Sequence, residues 1–126
     1  MLFPYKDDNP RVLVPYVTYA IISINVLIFV LQLNMAMVNS SIEREFIYKF
    51  GFIPANFSFF TMFTSMFLHG GFSHIFGNMW FLWVFGDNVE GILGHIKFGI
   101  FYLLCGLVAT MSQLFVNPES TIPMVG

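Results

Sequence analysis

The chain has 126 residues, of which 57% are hydrophobic, 19% aromatic and only 10% charged, with a formal net charge of -2. An ordinary soluble domain carries about 25% charged residues, and a chain this short has too little interior to bury so much apolar surface. The composition therefore excludes an ordinary soluble domain and predicts an all-α membrane protein. It offers no basic surface for nucleic acid, and the single cysteine, Cys105, excludes an intrachain disulfide.

Three stretches of the chain contain no Asp, Glu, Lys or Arg: residues 12–42, 50–86 and 98–118. A spanning helix needs about 20 mostly apolar residues, so each stretch can hold one. We predict three transmembrane helices, at about residues 16–37, 72–89 and 95–116, and an amphipathic or re-entrant segment at residues 40–71. Pro15 stands where the first helix begins, a position that tolerates the missing N–H.

A short helix is predicted after the first span. Ser40 and Glu43 form a capping-box pattern, which is typical of a helix start. Ile42, Phe46 and Phe50 then recur every four residues, so one face is apolar. This pattern predicts an amphipathic helix that lies on the membrane surface.

The second uncharged stretch is too long for one helix. As a single helix it would measure about 55 Å, against a hydrocarbon core of about 30 Å. Pro54, Asn56 and the pair Gly70-Gly71 interrupt it, so residues 53–68 are predicted to form a membrane-dipping loop with short helical pieces. Irregular backbone at membrane depth is tolerated only against protein or a water-filled cavity, which predicts an intramembrane site nearby.

Isolated polar residues in the spans have simpler interpretations. Asn25, in the middle of the first span, is expected to form an interhelical hydrogen bond. Gly99, Tyr102 and Gly106 fall on one face of the third span, which favours close helix packing. His95 follows Gly94 at a span boundary and is interpreted as an interfacial histidine.

The residues most suggestive of chemistry are His69, Gly70, Gly71, His74 and Asn78. Ionisable groups inside a membrane are costly to keep there and are functional candidates by default. His74 and Asn78 are four residues apart, so they share a helix face, and both can donate hydrogen bonds into a cavity. Such donors stabilise the oxyanion of acyl transfer. The alternative is that they only join neighbouring helices.

A metal site is disfavoured by the spacing. His69 and His74 are five residues apart, and no cysteine or carboxylate lies nearby to complete a ligand set. No cofactor motif is present either.

The order and spacing of several motifs resemble the bacterial-type branch of the rhomboid family. They extend over essentially the whole chain. The matching residues are Val17-Thr18, Asn25-Val26, Phe-Gly-Phe-Ile-Pro-Ala at 50–55, Thr-Ser-Met-Phe-Leu-His-Gly-Gly at 64–71, His74 with Asn78, Gly-Asp-Asn-Val-Glu at 86–90, Leu93-Gly94, and Tyr102 with Gly106.

The resemblance implies a multi-pass protein in a lipid bilayer, residues 1–126 forming the first half of a six-helix bundle with a membrane-dipping first loop. It implies cleavage of single-pass transmembrane substrates by a Ser–His dyad, without a cofactor, in a prokaryotic plasma membrane. His74 and Asn78 would help form the oxyanion hole, and His69 in its loop would brace that loop against the second span. Glu90 would be a structural group near the cytoplasmic end.

Charge alone does not determine the orientation of the first span. Lys6, Arg11 and Lys97 favour one side, and Arg44 and Lys49 the other. The excess is too small to decide, although it agrees with the cytoplasmic amino terminus that the resemblance implies.

The nucleophile of the family is not in this sequence. The resemblance implies a G-x-S-G motif whose first glycine would be Gly126, and a histidine on a later span. Neither Ser65 nor Ser73, near the cluster, lies in such a motif. We therefore expect the chain alone to be inactive, as part of a longer protein or as a short protein that needs another chain. The oligomeric state is open.

Three functions remain to be distinguished. The first is an intramembrane serine endopeptidase to which this chain contributes the oxyanion hole. The second is a non-catalytic rhomboid-like protein that binds transmembrane segments. The third is an unrelated small membrane subunit in which the polar residues only hold helices together.

Overall fold

The computed structural model describes residues 13–125, and this part of the chain is α-helical. Residues 1–12, including Lys6 and Arg11, and Gly126 lie outside the described residues. The five helices are α1 (Tyr16–Val38), α2 (Ser40–Phe50), α3 (Phe59–Thr64), α4 (Phe72–Leu93) and α5 (His95–Val116), with single 3₁₀ turns at Pro54–Asn56 and Ser65–Phe67. The predicted all-α class is confirmed.

Two helices are long and apolar enough to cross a membrane. They are α1, with 23 residues, and α5, with 22 residues, and their most apolar 18-residue stretches have mean hydropathies of 2.2 and 1.8. Helix α4 is as long as α5, but His74, Asn78 and Asp87 make it more polar. Its mean hydropathy is therefore too low for α4 to be counted as a spanning helix on length and composition. The ends of α1 and α5 lie within about one residue of the predicted ends, whereas α4 begins at the predicted residue and continues to Leu93, four residues beyond its predicted end.

The start of α2 corrects one detail of the prediction. Asn39, rather than Ser40, is the capping residue, and its side-chain oxygen accepts a hydrogen bond from the Ser41 backbone N–H at 2.9 Å. Asparagine and serine are comparably good caps, so the sequence contained two candidates and the local geometry selected the first. The helix still has the expected polar and apolar faces.

The predicted membrane-dipping loop packs beneath α5. Phe52, Met62 and Leu68 are buried in it, and α3 contacts α5 directly. The Met66 side chain lies over Gly106, where a Cβ atom would come within 2.1 Å of it. The small residue at 106 therefore accommodates the loop, whereas the sequence predicted that this face of the helix would pack closely against another helix.

Helix α1 is the centre of the fold and packs against α2, α4 and α5. Its buried residues recur every three or four positions, so one face points inward: Thr18, Ile21, Asn25, Phe29 and Gln32. The Asn25 side-chain nitrogen donates to Ile21 O in its own helix at 2.8 Å, and the carboxamide also interacts with the Tyr102 side chain of α5. Asn25 thus bonds within α1 as well as facing the neighbouring helix.

The outer faces of the helices are strongly apolar. Phe81 and Trp83 on α4 and Ile96 and Phe115 on α5 are more than half exposed. Only 6% of the most apolar 18-residue stretch of α5 is buried within the chain. A water-exposed surface of this kind would be unstable, whereas lipid or further transmembrane helices can cover it.

Candidate functional site

The predicted site residues converge where the loop between α2 and α4 meets α4. His69 is the last buried residue of the loop, followed by Gly70 and Gly71, and α4 begins at Phe72. His74 lies in the first turn of α4 and Asn78 in the second. The rings of His69 and His74 are in an edge-on contact, with centroids 5.1 Å apart.

Asn78 and His69 contact each other through their side chains. Asn78 Nδ2 lies 3.2 Å from His69 Nε2. An amide nitrogen can only donate, so the imidazole nitrogen must accept, and His69 must be neutral for this hydrogen bond to exist. Burial, followed by the proximity of His74, lowers the pKa of His69 from 6.5 to about 4. The geometry and the pKa therefore agree that His69 is uncharged near pH 7.

This site opens into a cavity of about 410 Å³ between α4 and α5. Its polar lining includes Ser65, His69, Asn78, Tyr102 and Thr110, and the rest is mostly apolar. His74 lies beside this cavity rather than among its lining residues. A largely apolar cavity with a few convergent polar groups is the usual form of a binding or catalytic site.

The carboxyl-terminal residues of the described chain reach the same cavity. An antiparallel bridge joins Phe52 and Met124, with N–H···O distances of 3.0 and 2.7 Å. Met124 and Val125 line the cavity, and a Cβ at Gly70 would lie 3.8 Å from Val125. Sequence analysis missed this bridge because an isolated pair of extended residues has no periodic pattern. Gly126, the glycine expected to open a G-x-S-G motif, lies outside the described residues.

Ser65 lines the cavity and Ser112 lies outside it on α5, and both hydroxyls donate to backbone carbonyls. Ser65 Oγ donates to Met62 O at 3.3 Å, which is a local bond within the loop. Ser112 Oγ donates to Val108 O at 2.8 Å on the exposed side of α5. A serine nucleophile needs a base within hydrogen-bond reach, and neither of these two hydroxyls is bonded to a histidine.

Glu90 forms a second polar centre, at the other end of α4. It is fully buried, and its carboxylate accepts hydrogen bonds from Val17 N at 2.9 Å, Thr18 N at 2.8 Å and Thr18 Oγ1 at 2.8 Å. Helix α1 begins after Pro15, which has no side-chain acceptor. The carboxylate of one helix therefore caps the positive amino-terminal end of another.

His95 completes this second centre, contrary to its interpretation as a merely interfacial residue. Its Nδ1 is hydrogen-bonded to Glu90 Oε2. Gly94, between the two helices, has φ 85° and ψ 167°, a conformation open to glycine and not to other residues. This turn directs His95 back towards Glu90, and the dipeptide Gly94-His95 was the only signal for it in the sequence.

Gln32 is a residue near the site that was not predicted from the sequence. It is 1% exposed and bonds the His69 backbone at two points, with Nε2 3.0 Å from His69 O and Oε1 3.2 Å from His69 N. Its only sequence signal is a polar residue inside an apolar helix.

Among the described residues, no group of three or more His, Cys, Asp or Glu side chains is arranged to hold a metal ion.

Comparison with known proteins identifies the family. The rhomboid domain model matches residues 56–126, more than half of the chain. The motifs that resemble the family begin earlier in the sequence, at Val17-Thr18. Rhomboid protease GluP of Bacillus subtilis (strain 168) is 28% identical over 105 residues, which cover 82% of this chain and 21% of that protein. The chain thus spans about a fifth of the relative's length, and no solved structure matches it. With its apolar helices and this domain match, the chain is an integral membrane protein that belongs to the rhomboid family.

Proposed function

We propose that this chain supplies the oxyanion-stabilising part of a rhomboid-type intramembrane serine endopeptidase, which cleaves single-pass transmembrane proteins. The observation that carries the proposal is the contact between Asn78 and His69 at the cavity between α4 and α5, in a member of the rhomboid family. The relative that is named a rhomboid protease supports the same activity. Family membership argues against the third function, that of an unrelated membrane subunit in which the polar residues only hold helices together.

In the proposed reaction, His74 and Asn78 donate hydrogen bonds to the oxyanion of the tetrahedral intermediate. Donors held rigidly need no reorganisation as the charge develops, which makes them effective. The contact with His69 restricts the rotation of the Asn78 amide, and an amide has two N–H donors, so this bond does not exhaust it.

The serine nucleophile and its base are proposed to come from chain that follows the described residues. Met124 and Val125 line the cavity, so a segment continuing from them would start beside Gly70 and Asn78. The chain of residues 1–126 is then inactive by itself. We predict that it will neither cleave a transmembrane substrate nor react with a fluorophosphonate probe, and labelling of any serine in it would contradict this proposal.

The proposed arrangement in the membrane has three spans. Helix α4 has the length of a span, and its polar residues His74, Asn78 and Glu90 each contact another residue of the chain. Polar groups in a bundle interior need not face lipid, so a lower hydropathy is compatible with a spanning helix. The amino terminus would be cytoplasmic, Glu90 would lie at the cytoplasmic end of α4, and the host would be a prokaryotic plasma membrane.

The experiment that tests the proposal is cleavage of a model single-pass transmembrane protein by the native polypeptide that carries this chain, purified in detergent micelles. Cleavage within the substrate helix, abolished by a fluorophosphonate, is the expected result. Capture of the substrate without cleavage would instead favour the non-catalytic rhomboid-like binder. If the protein is folded but neither captures nor cleaves the substrate, both functions are contradicted.

A further inference from the structure

The side chain of Gln32 forms a closed pair with the peptide groups of a single residue in the membrane-dipping loop. Its Nε2 donates to His69 O at 3.0 Å, and its Oε1 accepts from His69 N–H at 3.2 Å. The two residues are 37 positions apart, and Gln32 is 1% exposed. The carboxamide thus imitates a neighbouring backbone strand at a point where the loop has no regular hydrogen bonding.

The loop depends on this pair because His69 lies outside the helices. The backbone N–H and C=O of His69 are in a buried region, where neither group can turn to water. Buried peptide groups without partners are costly, and in a membrane protein lipid offers no replacement. Gln32 satisfies both groups at once, and therefore fixes the position of the His69 backbone relative to α1.

The fixed backbone determines where the His69 ring can be. From that backbone the ring reaches Asn78, with Nε2 3.2 Å from Asn78 Nδ2, and lies against His74. A continuous set of contacts therefore runs from α1 through His69 to both residues of the proposed oxyanion hole. Displacement of the loop by one ångström would break the hydrogen bond to Asn78, since such bonds weaken rapidly beyond about 3.2 Å.

Another buried carboxamide on the same helix has a different arrangement. Asn25 lies seven residues before Gln32, on the same face of α1, and is equally buried. Its side-chain nitrogen donates to Ile21 O, within α1, and none of its described hydrogen bonds involves the loop. Asn25 is therefore a polar residue whose described contacts serve helix packing. Gln32 differs, because both its side-chain oxygen and its side-chain nitrogen bond the backbone of His69, the residue that supports the site.

We infer that Gln32 is a positioning residue, which holds His69 and, through it, the Asn78 amide in the geometry required for oxyanion stabilisation. Its catalytic consequence rests on the proposed function, but its effect on His69 does not. The positional effect can be measured without any substrate, because His69 and His95 differ in their exposure to a modifying reagent. His69 is buried, while the side chain of His95 is 40% exposed.

The test compares Gln32→Leu with the matched control Asn25→Leu in the native polypeptide in micelles. Diethyl pyrocarbonate modifies accessible neutral imidazoles, and peptide mass spectrometry gives the rate at each histidine. In Gln32→Leu, modification of His69 should accelerate about tenfold, because opening of the loop no longer breaks two hydrogen bonds. The rate at His95 should not change, and Asn25→Leu should leave His69 protected.

Two results would overturn the inference. One is a His69 rate in Gln32→Leu equal to that of the unmodified sequence. The other is equal acceleration by Asn25→Leu, which would mean general loosening of α1. If Gln32→Leu does not fold, Gln32→Asn serves instead, since its side chain is one methylene shorter and cannot reach both His69 N–H and His69 O. This variant should give a smaller acceleration, and none would again contradict the inference.

A kinetic measurement separates this inference from the proposed function. In the cleavage assay, Gln32→Leu should lower kcat about tenfold with KM within about twofold, because the variant alters transition-state contacts and not substrate binding. Asn25→Leu should change kcat by less than about twofold. Exposure of His69 in a protein that never cleaves would refute the proposed function and leave the positioning role intact. Exposure of His69 with unchanged kcat would refute the catalytic role of Gln32 alone.

Discussion

Replacing Glu90 with glutamine should weaken the attachment of α1 to α4. The glutamate carboxylate accepts three hydrogen bonds from the start of α1 and pairs with His95. Glutamine has almost the same shape, but it has no charge and only one acceptor oxygen. Its NH₂ group would face either the two donors of Thr18 or the Val17 N–H and His95, and at least one buried donor would lose its acceptor.

The expected loss of stability is about 3 kcal/mol. Hydrogen bonds to a charged group contribute about 1.5–3 kcal/mol each, and an anion near a helix amino terminus adds about 0.3–1 kcal/mol. Glutamine keeps part of the bonding, so the loss corresponds to one charge-assisted bond and the helix-dipole interaction. Glu90 is fully buried, so solvent does not screen these interactions.

Tryptophan fluorescence during denaturation in mixed micelles would measure this loss. Trp83 on α4 stacks against Tyr19 on α1, with ring centroids 5.7 Å apart, so its emission reports the separation of these two helices. Glu45→Gln is the matched control, because Glu45 is exposed on α2 and surface substitutions usually change stability by less than about 0.5 kcal/mol. If Glu90→Gln and Glu45→Gln unfold at the same denaturant concentration, the proposed capping of α1 is wrong.

Two further predictions concern packing and pH. Gly86→Ala should destabilise the chain by about 1–3 kcal/mol, since its Cβ would come within 2.8 Å of Thr18. The control Gly91→Ala, at a position with open space around it, should be neutral or stabilising by up to about 1 kcal/mol. Equal unfolding midpoints for the two variants would contradict the close approach of α1 and α4. The pKa of His69 is about 4 in the folded chain and about 6.5 when unfolded, so the unfolded chain binds the proton more readily. Stability should therefore be constant above pH 6.5 and fall by about 3 kcal/mol in total as the pH drops to about 4. His69→Gln should remove that part of the slope, and an unchanged slope in this variant would show that His69 is not its source.

The helices could be predicted from the sequence because strong local signals mark their ends. Uncharged apolar runs predicted α1 and α5, and Gly70-Gly71 marked the start of α4. The family motifs suggested that His69, His74 and Asn78 belong together, and the structure brings them within contact distance. Patterns of this kind are local in sequence, so one chain is enough to recognise them.

The remaining contacts could not be predicted because their partners are distant in sequence. Nothing within α1 indicates that Gln32 will bond the backbone of His69, or that the start of α1 will be capped by Glu90, more than 70 residues later. Pro15 at the helix start did carry a hint, since a helix without its own side-chain cap needs an acceptor from elsewhere. Identification of that acceptor requires the packing of α1 against α4.

The most direct test of the proposed active site is the cleavage rate of the native polypeptide with Asn78→Ala, compared with Asn88→Ala. Asn88 lies on the same helix, about 15 Å further along, so the two substitutions are chemically identical and differ in position. Loss of an oxyanion donor should lower kcat by about 10²–10³-fold in Asn78→Ala, with an unfolding midpoint close to that of the unmodified protein, while Asn88→Ala retains nearly full activity. Equal cleavage rates for the two variants would show that Asn78 does not stabilise the oxyanion.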